Sequence, residues 1–123
     1  SRQRQMCIRD SNCCINRLTA IHRVKNGELL SEIHKDQVTT VIIEVSSVLD
    51  DLGYTALSIE LGQMVHEVMT DTAENRSSML NDVMAGRRTE ADAIVGWLMR
   101  QTKRELPALT DLATQLRALE PNQ

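Results

Sequence analysis

Apolar residues recur at steps of three and four along most of the chain, most clearly at Val38, Val41, Ile42, Val45, Val48, Leu49 and Leu52 ahead of Gly53. That spacing lines them along one helical face. Strand alternation would send Val41 and Ile42 to opposite sides, so the period overrules the β-branched content. Before it, Ile15, Leu18 and His22 share a face of a first helix, which starts at Asn12 and is expected to stop at Lys25-Asn26-Gly27 with Gly27 in a left-handed conformation. Ile59, Leu61, Met64, Val65, Val68 and Met69 predict a third helix, entered through Ser58 as N-cap and running to about Thr72. Met79, Leu80, Val83 and Met84 predict a short helix closed by Gly86. Thr89 with Asp92 three residues on is a capping-box pattern for a helix carrying Ile94, Val95, Leu98 and Met99. Pro107 stops that helix and opens a last one, whose apolar face is Leu109, Leu112, Ala113, Leu116 and Leu119. The pattern therefore predicts an all-α fold of about six helices packed as one domain, with no segment reading as a strand.

Composition supports this picture and adds exclusions. Aromatic content is 2%, from Tyr54 and Trp97 alone, so the core has to be built from Leu, Ile, Val, Met and Ala, most of which suit helices. The 123 residues fit one domain. With 14 basic residues scattered among 17 acidic ones and a net charge of −3, there is no broad positive field for nucleic acid. No apolar run approaches the roughly 20 residues that cross a bilayer, and no signal-peptide pattern opens the chain, so no membrane association and a cytoplasmic location are expected. Cys13 and Cys14 are adjacent and belong to no C-x-x-C pair, so they read as small buried apolar residues and no metal is expected. Residues 1–11, SRQRQMCIRDS, are basic and lack helical periodicity. They read as a non-native or disordered leader, leaving 12–120 as the folded domain.

No complete catalytic set stands out: there is no G-x-G-x-x-G, P-loop, G-x-S-x-G or His pair at i, i+4. His22, His34 and His66 read as surface or half-buried histidines, and Asp50-Asp51 as a solvated edge. Asn12 and Asn16 are one helical turn apart, and Asn26 follows in the next turn. Amides donate and accept, so this set fits either a polar pocket for a small hydroxylated or carboxylated ligand or ordinary caps and exposed polar positions. Asn75-Arg76-Ser77-Ser78 opens a short helix. It could receive a carboxylate on free N–H groups and hydroxyls, or could simply be capped by Asn75 or Ser78. Glu90 could serve a site or only the helix dipole.

Four strings change the balance: NCCINRLTA (Asn12 to Ala20), KNGELL (Lys25 to Leu30), TAENRSSMLNDV (Thr72 to Val83) and GRRTEADAIVG (Gly86 to Gly96). In order and spacing they resemble the C-terminal domain of ketopantoate reductases, with SSML followed by GRRTE the most telling pair. The resemblance implies a 6-phosphogluconate-dehydrogenase C-terminal-like helical domain that closes the substrate side of a cleft. In the family, NADPH bound by an N-terminal Rossmann domain reduces ketopantoate to pantoate for pantothenate and coenzyme A synthesis. By motif, Asn12, Asn16 and Asn26 are expected on the substrate's hydroxyl and carboxylate groups, Ser78 on its carboxylate with Asn75 nearby, and Glu90 facing the cofactor and reaction centre.

Two departures follow from the same resemblance. The family's proton-donor lysine, one turn before the first asparagine, corresponds here to Ile8, and Arg17 stands where the family commonly shows proline. The expectation is a domain without its own Rossmann partner, inactive by itself. The competing expectations are a related 2-keto acid reductase domain, or a non-catalytic helical module that associates, as a homodimer for example, through its apolar stripes.

Overall fold

The computed structural model describes residues 2–89 and 92–121, with side chains described for residues 11, 12, 14–89 and 96–121. In chain order the elements are α1 (Arg2–His22), a 3₁₀ turn (Asn26–Leu30), α2 (Glu32–Asp51), α3 (Thr55–Asp71), α4 (Ser78–Met84), α5 (Asp92–Gln101) and α6 (Pro107–Ala118). Among the described residues six helices stand where about six were expected, and there is no strand.

The middle of the bundle is α1, which packs against α2, α3, α4 and α6. Ile15 and Leu18 of α1 meet Val41, Val45, Val48 and Leu49 of α2, Leu61 and Val65 of α3, and Leu109 and Leu112 of α6 in one buried core. Ala20, Met79, Val83 and Leu116 form a smaller cluster that fastens α4 to α1 and α6. Each such leucine or valine contributes roughly 1.5–3 kcal/mol by leaving water. Cys14 is buried as expected, while the side chain of Cys13 lies outside the described residues.

Helix ends follow local chemistry that periodicity does not reveal. The helix expected from Asn12 starts at Arg2, since Arg, Gln and Met sustain a helix without an apolar stripe to announce it. Its stop is also different. Arg23 takes φ 55, and the Val24 N–H donates to the Thr19 carbonyl at 3.0 Å, a Schellman closure with arginine at the usual glycine position. Gly27 instead lies in the 3₁₀ turn, without a positive φ. Gly53 and Gly86 do close α2 and α4 with φ 87 and 70.

Ser58 is not an N-cap: α3 begins at Thr55, and Ser58 and Ser46 exchange hydroxyl-to-carbonyl bonds of 2.9 and 3.2 Å that tie α3 to α2. Ile59 and Met84, expected on apolar faces, are exposed. The Thr89 hydroxyl donates to the Glu120 carboxylate at 3.2 Å, and the residues that would complete a capping box there lie outside those described. Ile94 and Val95 fall on α5, with side chains likewise outside the description. Asp51 is a solvated edge as expected: Arg104 donates to both its oxygens and holds its carboxyl below the usual range.

Candidate functional site

Asn12 and Asn16 sit half-buried one turn apart on α1. One turn further, the Thr19 hydroxyl donates to the Asn16 carbonyl at 2.8 Å and lies 2.7 Å from the Ser77 hydroxyl. Thr19 has a single proton, already given to Asn16, so Ser77 is the donor of that pair. It also accepts from the Leu80 N–H at 3.0 Å, capping α4. Ser77, not Asn75 or Ser78, is therefore the cap. Ser78 stands exposed as the first residue of α4, with no side-chain task in holding it.

The second half of the constellation is built by the 3₁₀ turn. The Asn26 N–H donates to the Asn75 carbonyl and the Gly27 N–H to the Ala73 carbonyl, both at 3.0 Å, so the turn after α1 and the turn after α3 are stitched together. This pairing requires a residue without a side chain at 27: a Cβ there would lie 2.5 Å from the Ala73 Cβ.

Asn26 is 7% exposed and oriented unambiguously. The Thr72 hydroxyl gives its proton to the Val68 carbonyl and so can only accept from the Asn26 amide, whose Nδ2 approaches at 2.9 Å. Asn26 Oδ1 is then the buried atom, and it has no hydrogen-bond partner among the described residues. A buried acceptor left without a donor costs about 1–3 kcal/mol, so this atom calls for a donor from water or a ligand.

Hydrogen bonds link the Asn16 backbone carbonyl to Thr19 and Thr19 to Ser77, which stands between Asn75 and Ser78 in sequence, and a backbone bond ties Asn75 to Asn26. Neither of two described surface cavities, of about 320 and 220 Å³, is lined by any of these residues. Glu90 lies outside the described residues. Ile8 is on the α1 backbone one turn before Asn12, with its side chain also outside. Among the described residues, no group of three or more His, Cys, Asp or Glu side chains could hold a metal ion.

Residues 10–120 match the family described as ketopantoate reductase PanE/ApbA C terminal. The chain belongs to that family.

A 2-dehydropantoate 2-reductase of Salmonella typhimurium is 42% identical over 92 residues, covering 75% of this chain and 30% of that protein. One from Bacillus subtilis is 40% identical over 118 residues, covering 90% of this chain and 37% of the relative. The Archaeoglobus fulgidus protein of the same name is 40% identical over 91 residues, covering 73% and 30%. The chain thus spans roughly a third of the length of these relatives. A crystal structure of a PanE/ApbA family ketopantoate reductase from Ralstonia eutropha JMP134 superposes with a TM-score of 0.78 at 21% identity, over 92% of this chain and 39% of that one, which shows the fold.

Within this domain, sequence reasoning missed Thr72, the hydroxyl that orients the Asn26 amide, and the Thr19–Ser77 pair that ties α1 to the start of α4. Thr19 is three residues after Asn16, a spacing that could have exposed it, whereas Thr72 and Ser77 meet their partners only through the fold. Arg17, fully enclosed at 1% exposure on an unbroken α1, was read only as a departure from proline.

Proposed function

We propose that this domain forms the substrate side of the cleft of an NADPH-dependent reductase that converts 2-dehydropantoate to pantoate, acting together with a dinucleotide-binding domain. The observation that carries the reading is Asn26 Oδ1, a buried acceptor without a donor among the described residues, in a turn whose backbone is bonded to Asn75. Ketopantoate carries one hydroxyl, one ketone and one carboxylate, so its hydroxyl is the only group able to donate to Asn26 Oδ1. Amide N–H groups of Asn12 and Asn16 and the hydroxyl of Ser78 are donors suited to the carboxylate. Neutral donors fix such an anion without a permanent counter-charge, which favours one pose for an aligned hydride path.

The same residues do not suit a nicotinamide dinucleotide. The 123 residues contain no glycine-rich turn to receive a pyrophosphate, so no step through the cofactor is assigned to this chain. NADPH held by the dinucleotide-binding domain would supply the hydride to the ketone carbon. The chain's part is to orient the acid, exclude water and, through Glu90, face the reaction centre.

The test joins residues 12–121 to the dinucleotide-binding domain of the Bacillus subtilis relative and follows NADPH oxidation with ketopantoate and with other 2-keto acids. Ketopantoate should be the preferred substrate, and the 123-residue chain alone should show no turnover. Asn26→Ala and Ser78→Ala should each lower kcat/KM by about ten- to a hundredfold with the fold retained, the loss expected for one or two buried hydrogen bonds. Retaining residues 1–11 and changing Ile8→Lys should raise kcat by supplying a proton donor one turn from Asn12. Equal kcat/KM in parent and Asn26→Ala hybrids would overturn the assignment of the site.

A further inference from the structure

On the outer side of the same two turns, a cavity of about 220 Å³ is lined by Arg23, Lys25, Glu28 and Arg76, with Leu80 and Met84 as an apolar wall. The lining thus holds three cationic residues and one acidic residue. Glu28 Oε2 accepts the Lys25 backbone N–H at 2.8 Å, and the Lys25 ammonium pairs at 3.2 Å with Glu74, whose side chain is 88% exposed, so solvent screens that pair. Arg23 and Arg76 make no ion pair or side-chain hydrogen bond among the described residues. Two arginines with unused guanidinium donors therefore line one concavity.

Independently, the backbone marks Arg23 as an expensive choice. It occupies the left-handed closing position of α1 at φ 55, where glycine is the residue free of strain. Stability alone would select glycine there, and what arginine adds is positive charge at the cavity.

We propose that this cavity binds a phosphomonoester dianion, a site separate from the keto acid reading. Arginine forks match the several acceptor oxygens of a phosphate better than they match a monoanion. The cavity volume exceeds what a bare phosphate fills, and the exposed Met84, backed by buried Leu80, offers a surface for the carbon substituent of an ester. Because Lys25 precedes Asn26 and Arg76 follows Asn75, an occupant would brace the two stitched turns from outside.

The experiment is an amide NMR titration of the 123-residue chain with methyl phosphate, inorganic phosphate and acetate at matched ionic strength, together with thermal melts. Saturable shifts confined to residues 23–28 and 76–84 with methyl phosphate, and none with acetate, are expected. Arg76→Gln should weaken the affinity by at least about tenfold, and Glu28→Gln should strengthen it by removing the one like charge. Arg23→Gly should raise the melting temperature of the free chain and abolish the rise produced by methyl phosphate. A merely structural Arg23 predicts the first effect without the second. Shifts equal for acetate and methyl phosphate, binding of inorganic phosphate but not of the ester, or an undiminished response in both arginine variants would each overturn the proposal.

Discussion

Asn26 is held in place by a neighbour that has no side chain. Gly27 approaches Ala73 so closely that an added Cβ would stand 2.5 Å from the Ala73 Cβ and 2.8 Å from its Cα. Since one of those atoms is backbone, no rotamer relieves the contact. Gly27→Ala should therefore cost about 1–3 kcal/mol in urea unfolding, because overpacking at a stitched pair of turns must push them apart. Adding Ala73→Gly should recover only part of the loss, as the Cα and carbonyl contacts remain. A Gly27→Ala chain as stable as the parent would show that the turns are not locked. At this scale the sequence was legible in residue type and misleading in cause. Lys25-Asn26-Gly27 carries every mark of a helix stop, yet the left-handed residue is Arg23, and Gly27 answers to a chain segment far away in sequence.

Between elements, the least expected contact joins α2 to α6. The first turn of α6 has no side-chain cap of its own: Leu106 precedes it, and Pro107 opens it. Glu44, buried on α2, accepts from the Ala108 N–H at 2.7 Å and the Leu109 N–H at 2.9 Å, so its charge also faces the positive end of the helix dipole. Glu44→Gln keeps the size but can orient only one acceptor oxygen, leaving one N–H opposite an amide NH₂. A loss of about 1–3 kcal/mol in denaturant unfolding is expected, with faster hydrogen exchange at Ala108 and Leu109. Unchanged exchange at those two amides would rule out the cap. Glu44 follows Val41 by three residues and precedes Val48 by four, so the α2 stripe already contained an acid on its inner flank. The stripes themselves read well because the helical period survives any packing arrangement. Starts and edges read poorly: α3 begins at Thr55 without a capping side chain, and Ile59 fits the period yet faces solvent.

Over the molecule, the candidate site draws on α1, the 3₁₀ turn and the start of α4, and periodicity alone could not bring these together. Thr19 and Ser77 become neighbours only when the α1 core face and the Ala20, Met79 and Val83 cluster close. Motif resemblance supplied the grouping, and packing supplied the hydroxyls between. The same closure sets a pH dependence. His34, at the start of α2, lies 4.6 Å between ring centroids from His22 of α1, whose Nε2 is 2.6 Å from the Gln37 amide oxygen, while Glu28 of the 3₁₀ turn exerts an opposing pull. Desolvation first and His22 second hold the His34 imidazole below its usual value of 6.5. A depressed histidine contributes nothing above that value, where folded and unfolded chains are both neutral. As pH falls below it, the unfolded chain takes up a proton that the folded chain refuses, and stability declines until the folded value is passed. The urea midpoint should therefore drop as pH falls through and below the usual histidine value of 6.5, and His34→Gln should flatten that part of the profile. A variant with the parent's slope would place the acid sensitivity elsewhere, since Gln at 34 keeps a polar side chain on α2 but removes the only proton this mechanism titrates.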